Sequence, residues 1–178
     1  MLKGKNVFLR AVEPEDADIL YDWENDFSLW KVSNTLAPFS KHVIKKYLET
    51  AHLDIYQTKQ LRLMIQENGE NGNVIGMIDL FDFEPYHSYA GVGIVIHKDY
   101  RNKGFAAEAL NILIKYTFEY LNLHQLYCNI AVDNSISIKL FENAGFEKKC
   151  TKKDWYFDGN KFTDINFYQL INPNHVTK

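Results

Sequence analysis

Apolar positions punctuate this 178-residue chain in two rhythms, one near two residues and one near 3.6. Val7 to Ala11 reads as a strand. Glu13-Pro14-Glu15-Asp16 then opens a helix, with proline in the first turn and acids at the positive end of the dipole, and Ile19, Leu20 and Trp23 on its inner side. Periodicity breaks from Phe27 to Phe39, an irregular aromatic stretch, after which Ser40 caps a helix predicted to reach about Ile55 with Val43, Ile44, Tyr47 and Leu48 inward. From Leu61 the period becomes two, and Asn68-Gly69 and Asn71-Gly72 predict a hairpin into Val74 to Phe81. Ala90 to Ile96 is a third strand, and Ala107, Leu110, Ile114, Phe118 and Leu121 mark the long helix after it. Gln125 to Val132 predicts another strand, and Asn134 opens a helix that Gly145 ends. Trp155 to Phe157 and Phe162 to Ile171 flank an Asp158-Gly159 turn. No repeat or linker-like tract interrupts the pattern. Residues 1–172 therefore read as one mixed α/β (α+β) domain with a largely antiparallel sheet, and 173–178 as a frayed tail.

Composition narrows function more than fold. With 46% hydrophobic and 24% charged residues the chain falls outside the disordered, collagen-like and disulfide-scaffold classes. A net charge of −3 gives no basic excess for nucleic acid. Cys128 and Cys150 are the only cysteines and form no CxxC, so neither a disulfide framework nor a cysteine zinc site is expected, and a reducing cytoplasm is. Polar Lys3 to Asn6 stand where a signal peptide needs its apolar stretch, and nowhere do eighteen apolar residues run together, so neither export nor a membrane span is expected. His42, His52, His87, His97, His124 and His175 have no metal-ligand spacing, so no metal is expected.

The chemistry concentrates between Gly93 and Ala107, where an apolar strand runs into a basic, glycine-containing turn that starts a helix. Successive backbone N–H groups from Arg101 to Ala107 can form a nest at the positive helix end, Gly104 admits close approach, and Arg101 and Lys103 add charge. A diphosphate would suit it. Taken alone, such a turn reads equally as a solvated loop. The dinucleotide fingerprint fails at Ile96, and no GxxxxGK[ST] occurs.

Arg101-Asn102-Lys103-Gly104-Phe105-Ala106 resembles the R/Q-x-x-G-x-G/A signature of the GCN5-related N-acetyltransferase (GNAT) family. Asp133 to Phe146, with Asn134, Ser137 and Gly145-Phe146, resembles that family's later N-x-x-[SA]…G-F segment. From about Gly76 to Ile171 the chain is most similar to the spermidine and ribosomal-protein acetyltransferase branch. The resemblance implies a sheet of six to seven strands with about four helices, splayed between the fourth and fifth strands. It also implies acetyl-CoA as donor, its pantetheine along Ile94, Val95 and Ile96 and its diphosphate on Arg101, Asn102, Lys103, Gly104, Phe105, Ala106 and Ala107. Asn134, Ser137, Lys139 and Phe141 would form the opposite wall. The acceptor would be a primary amine, either a small molecule such as a polyamine or a protein N-terminus, attacking directly in a ternary complex. Pairing of two or more copies, through the aromatic terminal hairpin, follows from the family's habit.

Two positions depart from the family. Its frequent glutamate base aligns with Gly91, and the tyrosine that many relatives use as acid aligns with Phe141. An alkylammonium with a pKa of about 10.4 needs a base, whereas a thiol of about 8.5 leaves without much help. Replacement bases are Asp79, Asp82 and Glu84, with Asp82 favoured through a water, and Ser137 or another tyrosine can serve the sulfur. Each of those carboxylates also reads as an ordinary strand-end acid. A backbone N–H near Val95 would stabilise the oxyanion. The acceptor loop Trp30 to Phe39 has no carboxylate, unlike that of the spermidine enzymes, and Trp30, Phe39, Phe81, Phe83, Tyr86 and Tyr89 are candidates for an aromatic acceptor pocket or for core. The two departures also admit a non-catalytic acyl-CoA-binding module.

Overall fold

In the computed structural model, which describes residues 2–33, 35–157 and 159–175, seven strands form a single sheet in the order β1-β2-β3-β4-β5-β7-β6. They are β1 Val7–Ala11, β2 Leu61–Glu67, β3 Val74–Glu84, β4 Tyr89–Ile96, β5 Gln125–Ala131, β6 Glu147–Phe157 and β7 Phe162–Ile171. Every pairing is antiparallel except β4 with β5, which are parallel. That pair is held only through Tyr89, Ala90 and Gly91 against Gln125, Leu126 and Tyr127, and beyond it the two strands part. The expected splay is therefore present.

Six α-helices are described rather than four: α1 Ala17–Glu24, α2 Phe27–Ser33, α3 Lys41–Thr50, α4 Ile55–Thr58, α5 Phe105–Lys115 and α6 Ser135–Asn143. The two additions have local causes. Asp26 accepts from the Ser28 amide and Trp30 donates its indole N–H to the Glu24 carbonyl, which fastens α2 inside the aromatic stretch expected to be irregular. Asp54 accepts from the Tyr56 and Gln57 amides and starts α4, so the helix expected to reach Ile55 stops at Thr50. Ser40 caps α3 as expected, accepting from Val43.

One face of the sheet packs Leu80, Val92, Leu126 and Ile130 against Leu110 and Leu113 of α5 and Phe141 of α6. The other packs Met64 and Met77 against Leu20 and Trp23 of α1 and Ile44 of α3. Strand β6 is longer than its predicted Trp155–Phe157 core. It is an edge strand, lysine-rich and mostly exposed from Glu147, so it carries no apolar alternation, and those charges discourage pairing with another edge. The chain end is tied down at Asn172, whose side chain donates to Leu123 O at 3.0 Å while its amide donates to His124 O. Pro173 to His175 continue in a turn, and the rest of the expected tail lies outside the described residues.

Candidate active site

Where β4 leaves β5, the edge of Val92 to Ile96 facing β5 has no strand partner among the described residues, while its other edge is paired with Gly76 to Leu80. Ile94 and Val95 are half-buried and Ile96 is buried. An extended ligand can add to that edge as a strand does. At the end of β4 a 3₁₀ turn, Lys98–Tyr100, leads to Arg101, and Asn102 and Gly104 both have left-handed backbone, φ 61° and 83°. These bends let Gly104 serve as N-cap of α5, while the Arg101 amide donates to Lys98 O. A Cβ built on Gly104 meets nothing within 4 Å, so the space over the turn is open as a diphosphate requires. Arg101 Nε turns back to Ile96 O at 2.9 Å, tying the turn to the strand, and Lys103 lies 5.1 Å from the Tyr100 ring centroid. Phe105 and Ala106 are half-buried and Ala107 is exposed.

The opposite wall is the start of α6. Asn134 accepts from the Ser137 amide at 3.1 Å, so it is the helix cap, and both residues also line the cleft between β4 and β5. Phe141 lines it too, although it is mostly core and packs edge-on against Phe146 at 5.0 Å. Lys139 is exposed and does not line the cleft. The whole cleft has a volume of about 1410 Å³ and continues past Gly93 to α1, α3, Ser33 and residues 35–39.

Its far end carries charge. Arg62 makes a paired contact with Asp79, Nε to Oδ1 at 2.9 Å and Nη2 to Oδ2 at 3.0 Å, and also bonds Glu24. The guanidinium lies over the Tyr47 ring at 5.7 Å. Burial works against the Arg62 charge, but Asp79 and Glu24 outweigh it and push its pKa up. Among the described residues at this end, two carboxylates stand against one guanidinium.

The three base candidates separate clearly. Asp79 lines the cleft but both its oxygens accept from Arg62. Glu84 accepts from the Tyr86 amide at 3.0 Å and so closes the turn after β3. Asp82 is exposed, has left-handed backbone at φ 48°, and accepts from the Tyr127 hydroxyl at 2.8 Å. Of the six aromatic candidates, Phe39 and Phe81 line the cleft. Phe83 is core, Tyr86 is exposed, Tyr89 packs on Tyr127, and Trp30 is bonded to Glu24 O. Phe81 lies against Gly91: a Cβ there would fall 2.3 Å from Phe81 Cε2. Glu24, Arg62, Tyr47 and Tyr127 were not foreseen. Their signal is cross-strand or long-range: Arg62 opposes Asp79 and Tyr127 opposes Gly91, and such pairing needs the register.

No group of metal-ligating side chains occurs among the described residues, and no described helix is long and apolar enough to cross a membrane. The profile of the acetyltransferase (GNAT) domain matches residues 6–147. The chain belongs to the GNAT acetyltransferase family. It is thus an acetyl-CoA-dependent N-acetyltransferase that transfers acetyl to an amine. Spermidine N(1)-acetyltransferase of Vibrio cholerae serotype O1 is 24% identical over 173 residues, 96% of this chain and 95% of that one. The Escherichia coli K12 spermidine N(1)-acetyltransferase is 27% identical over 146 residues, 82% of this chain and 75% of that one. In fold, the crystal structure of the Vibrio cholerae spermidine N-acetyltransferase in complex with CoA and spermine superposes with a TM-score of 0.86 at 23% identity, covering 96% and 98% of the two chains.

Proposed function

We propose that the acceptor is a small cationic amine of the polyamine class, carrying no more than one ammonium beyond the one acetylated. The observation that supports this most directly is the charge at the far end of the cleft. Glu24 and Asp79 share Arg62, and Ser33, Thr35, Leu36, Ala37, Pro38 and Phe39 contribute no charge. A surplus of one anion suits one ammonium, whereas a longer polyamine would leave a charge uncompensated. The spermidine enzymes among the relatives agree with the class of acceptor.

Acetyl-CoA supplies a thioester carbonyl and a leaving thiolate. The free edge at Ile94, Val95 and Ile96 would hold its pantetheine arm, and the turn from Arg101 to Ala107 its diphosphate. Asn134, Ser137 and Phe141 would close the other side, with Lys139 at the outer rim of α6. A backbone N–H near Val95 would stabilise the oxyanion. Asp82 would take the ammonium proton through a water, and Ser137 lies on the wall from which a proton can reach sulfur. Exposed Trp155, Phe157 and Phe162 support pairing of two copies through the terminal hairpin, and two free cysteines fit a cytoplasmic setting.

Thiol release from acetyl-CoA, measured with butylamine, 1,4-diaminobutane, spermidine, glycine and an N-terminal peptide, tests the reading. A diamine should give the highest kcat/KM and glycine among the lowest. A preference for glycine or the peptide would refute the acceptor class. Acetyl-CoA binding without release for any amine would favour the non-catalytic module.

A further inference from the structure

We propose that Tyr127 is the positioning residue for the base, its hydroxyl fixing one oxygen of Asp82 beside the point where β4 and β5 part so that the other faces the proton-carrying water. This rests on the reading of Asp82 as base.

Strand alternation alone would point Asp82 into the core, because Leu80, two residues earlier, is buried there. It does not, because β3 bulges. Phe81 opposes Gly91 and Glu84 opposes Tyr89, so three steps on β3 match two on β4, and the left-handed backbone at Asp82 absorbs the extra residue. Phe83 thereby returns to the core at 3% exposure while Asp82 swings out to Tyr127. A bulge that leaves a non-glycine residue in left-handed backbone is strained, and here it re-aims one carboxylate.

The partner it reaches is held firmly. The Tyr127 ring meets Phe81 edge-on at 5.7 Å, Tyr89 at 6.1 Å and Phe167 in a stack at 5.6 Å, which fixes where its hydroxyl lies. Tyr127 is also the last residue of β5 paired with β4, opposite Gly91, so the Asp82–Tyr127 pair stands where the two strands begin to part. Neither residue lines the cleft, but Phe81, which does, packs against Tyr127. Burial first, and then the hydrogen bond to Asp82, push the Tyr127 pKa up, so the phenol stays a donor. Of the Asp82 oxygens, Oδ2 accepts from Tyr127 and Oδ1 has no hydrogen bond among the described residues.

The step balances. The acceptor ammonium loses one proton through water to Asp82 Oδ1, and its freed electron pair forms the N–C bond as the C–S bond breaks. The sulfur leaves with its pair and ends as the thiol with the second nitrogen proton. Exposed Asp82 returns its proton to solvent, and Tyr127 keeps its own throughout.

The test compares Asp82→Asn, Tyr127→Phe and the double variant, using the fastest amine of the panel above. Phenylalanine keeps the three ring contacts, so the variant should fold. Asp82→Asn should lower kcat about a hundredfold. Tyr127→Phe should lower kcat about tenfold with the amine KM and acetyl-CoA affinity within about twofold, and the double variant should be no slower than Asp82→Asn alone. A slow Asp82→Asn beside a wild-type Tyr127→Phe, or losses that multiply in the double variant, would overturn the role of Tyr127 and leave Asp82 standing. A wild-type kcat for Asp82→Asn, or no turnover of any amine by the unmodified protein, would overturn both.

Discussion

Gly91→Ala isolates the close approach that shapes the middle of the cleft. The added Cβ would lie 2.3, 2.5 and 2.7 Å from three Phe81 ring atoms, against an ordinary carbon–carbon contact of about 3.5 Å. The ring must therefore retreat by about 1 Å, which loosens its edge-on contact with Tyr127. Overpacking of this kind costs about 1–3 kcal/mol, and lost aromatic geometry about 0.5–1.5 kcal/mol. Against these, replacing glycine returns about 0.4–1 kcal/mol through the unfolded chain, since the backbone at Gly91 is not left-handed. The middle of these ranges leaves a net loss of about 2 kcal/mol, which lowers the melting temperature by about 4–8 °C at this chain length. Thermal denaturation followed by circular dichroism measures it. Phe81→Leu should cost stability alone yet relieve Gly91→Ala, giving a favourable coupling of about 1 kcal/mol in the double-mutant cycle. If Gly91→Ala melts with the wild type, or the two changes simply add, Phe81 is not what excludes a side chain at position 91.

Three further outcomes are expected. Gly104→Asp meets no neighbouring atom, though the left-handed backbone strains any side chain there, and it places a carboxylate over the turn, so acetyl-CoA affinity by calorimetry should fall at least about tenfold while the melting temperature drops by less than about 8 °C; unchanged affinity in the folded variant would move the diphosphate elsewhere. Glu24→Gln keeps a partner for Arg62 but removes the surplus anion, so KM for 1,4-diaminobutane should rise about tenfold and KM for butylamine little, whereas equal shifts would assign Glu24 to structure only. Burial pushes the Asp16 carboxyl up, yet hydrogen bonds from Arg10 and the Glu13 amide and the Arg10 charge hold it below its usual range. Its contribution of about 2 kcal/mol is therefore present above pH about 4 and lost as pH falls further, so the stability gap between wild type and Asp16→Asn should close under acid denaturation. A gap that persists at pH 2 would refute that assignment.

What could be read from the sequence follows the range of the interactions involved. Ser40 and Asn134 cap their helices where expected, and Gly145 ends α6 with φ 91°, because caps are settled within a few residues. The bend of the turn proposed to hold the diphosphate has the same local origin: Asn102 and Gly104 turn a continuous segment. The splay was implied by family resemblance alone, since nothing in β4 or β5 taken singly says that only three residues pair. The acceptor end was hidden more deeply. A loop without carboxylates argued against a cationic ligand, but Glu24 comes from α1 and Asp79 from β3, and they meet only because β2 carries Arg62 opposite Asp79. Asp82 shows the same limit at a single residue. The sequence places it just past a strand predicted to end at Phe81 and favours it as base, yet its partner depends on one inserted residue in β3 that opens the register between Phe81 and Glu84 and turns it to Tyr127. The proposed donor half is thus written in consecutive residues, whereas the proposed acceptor half depends on sheet register, and substitutions that shift β2 or β3 by one residue should change which amine is acetylated before they change how acetyl-CoA is bound.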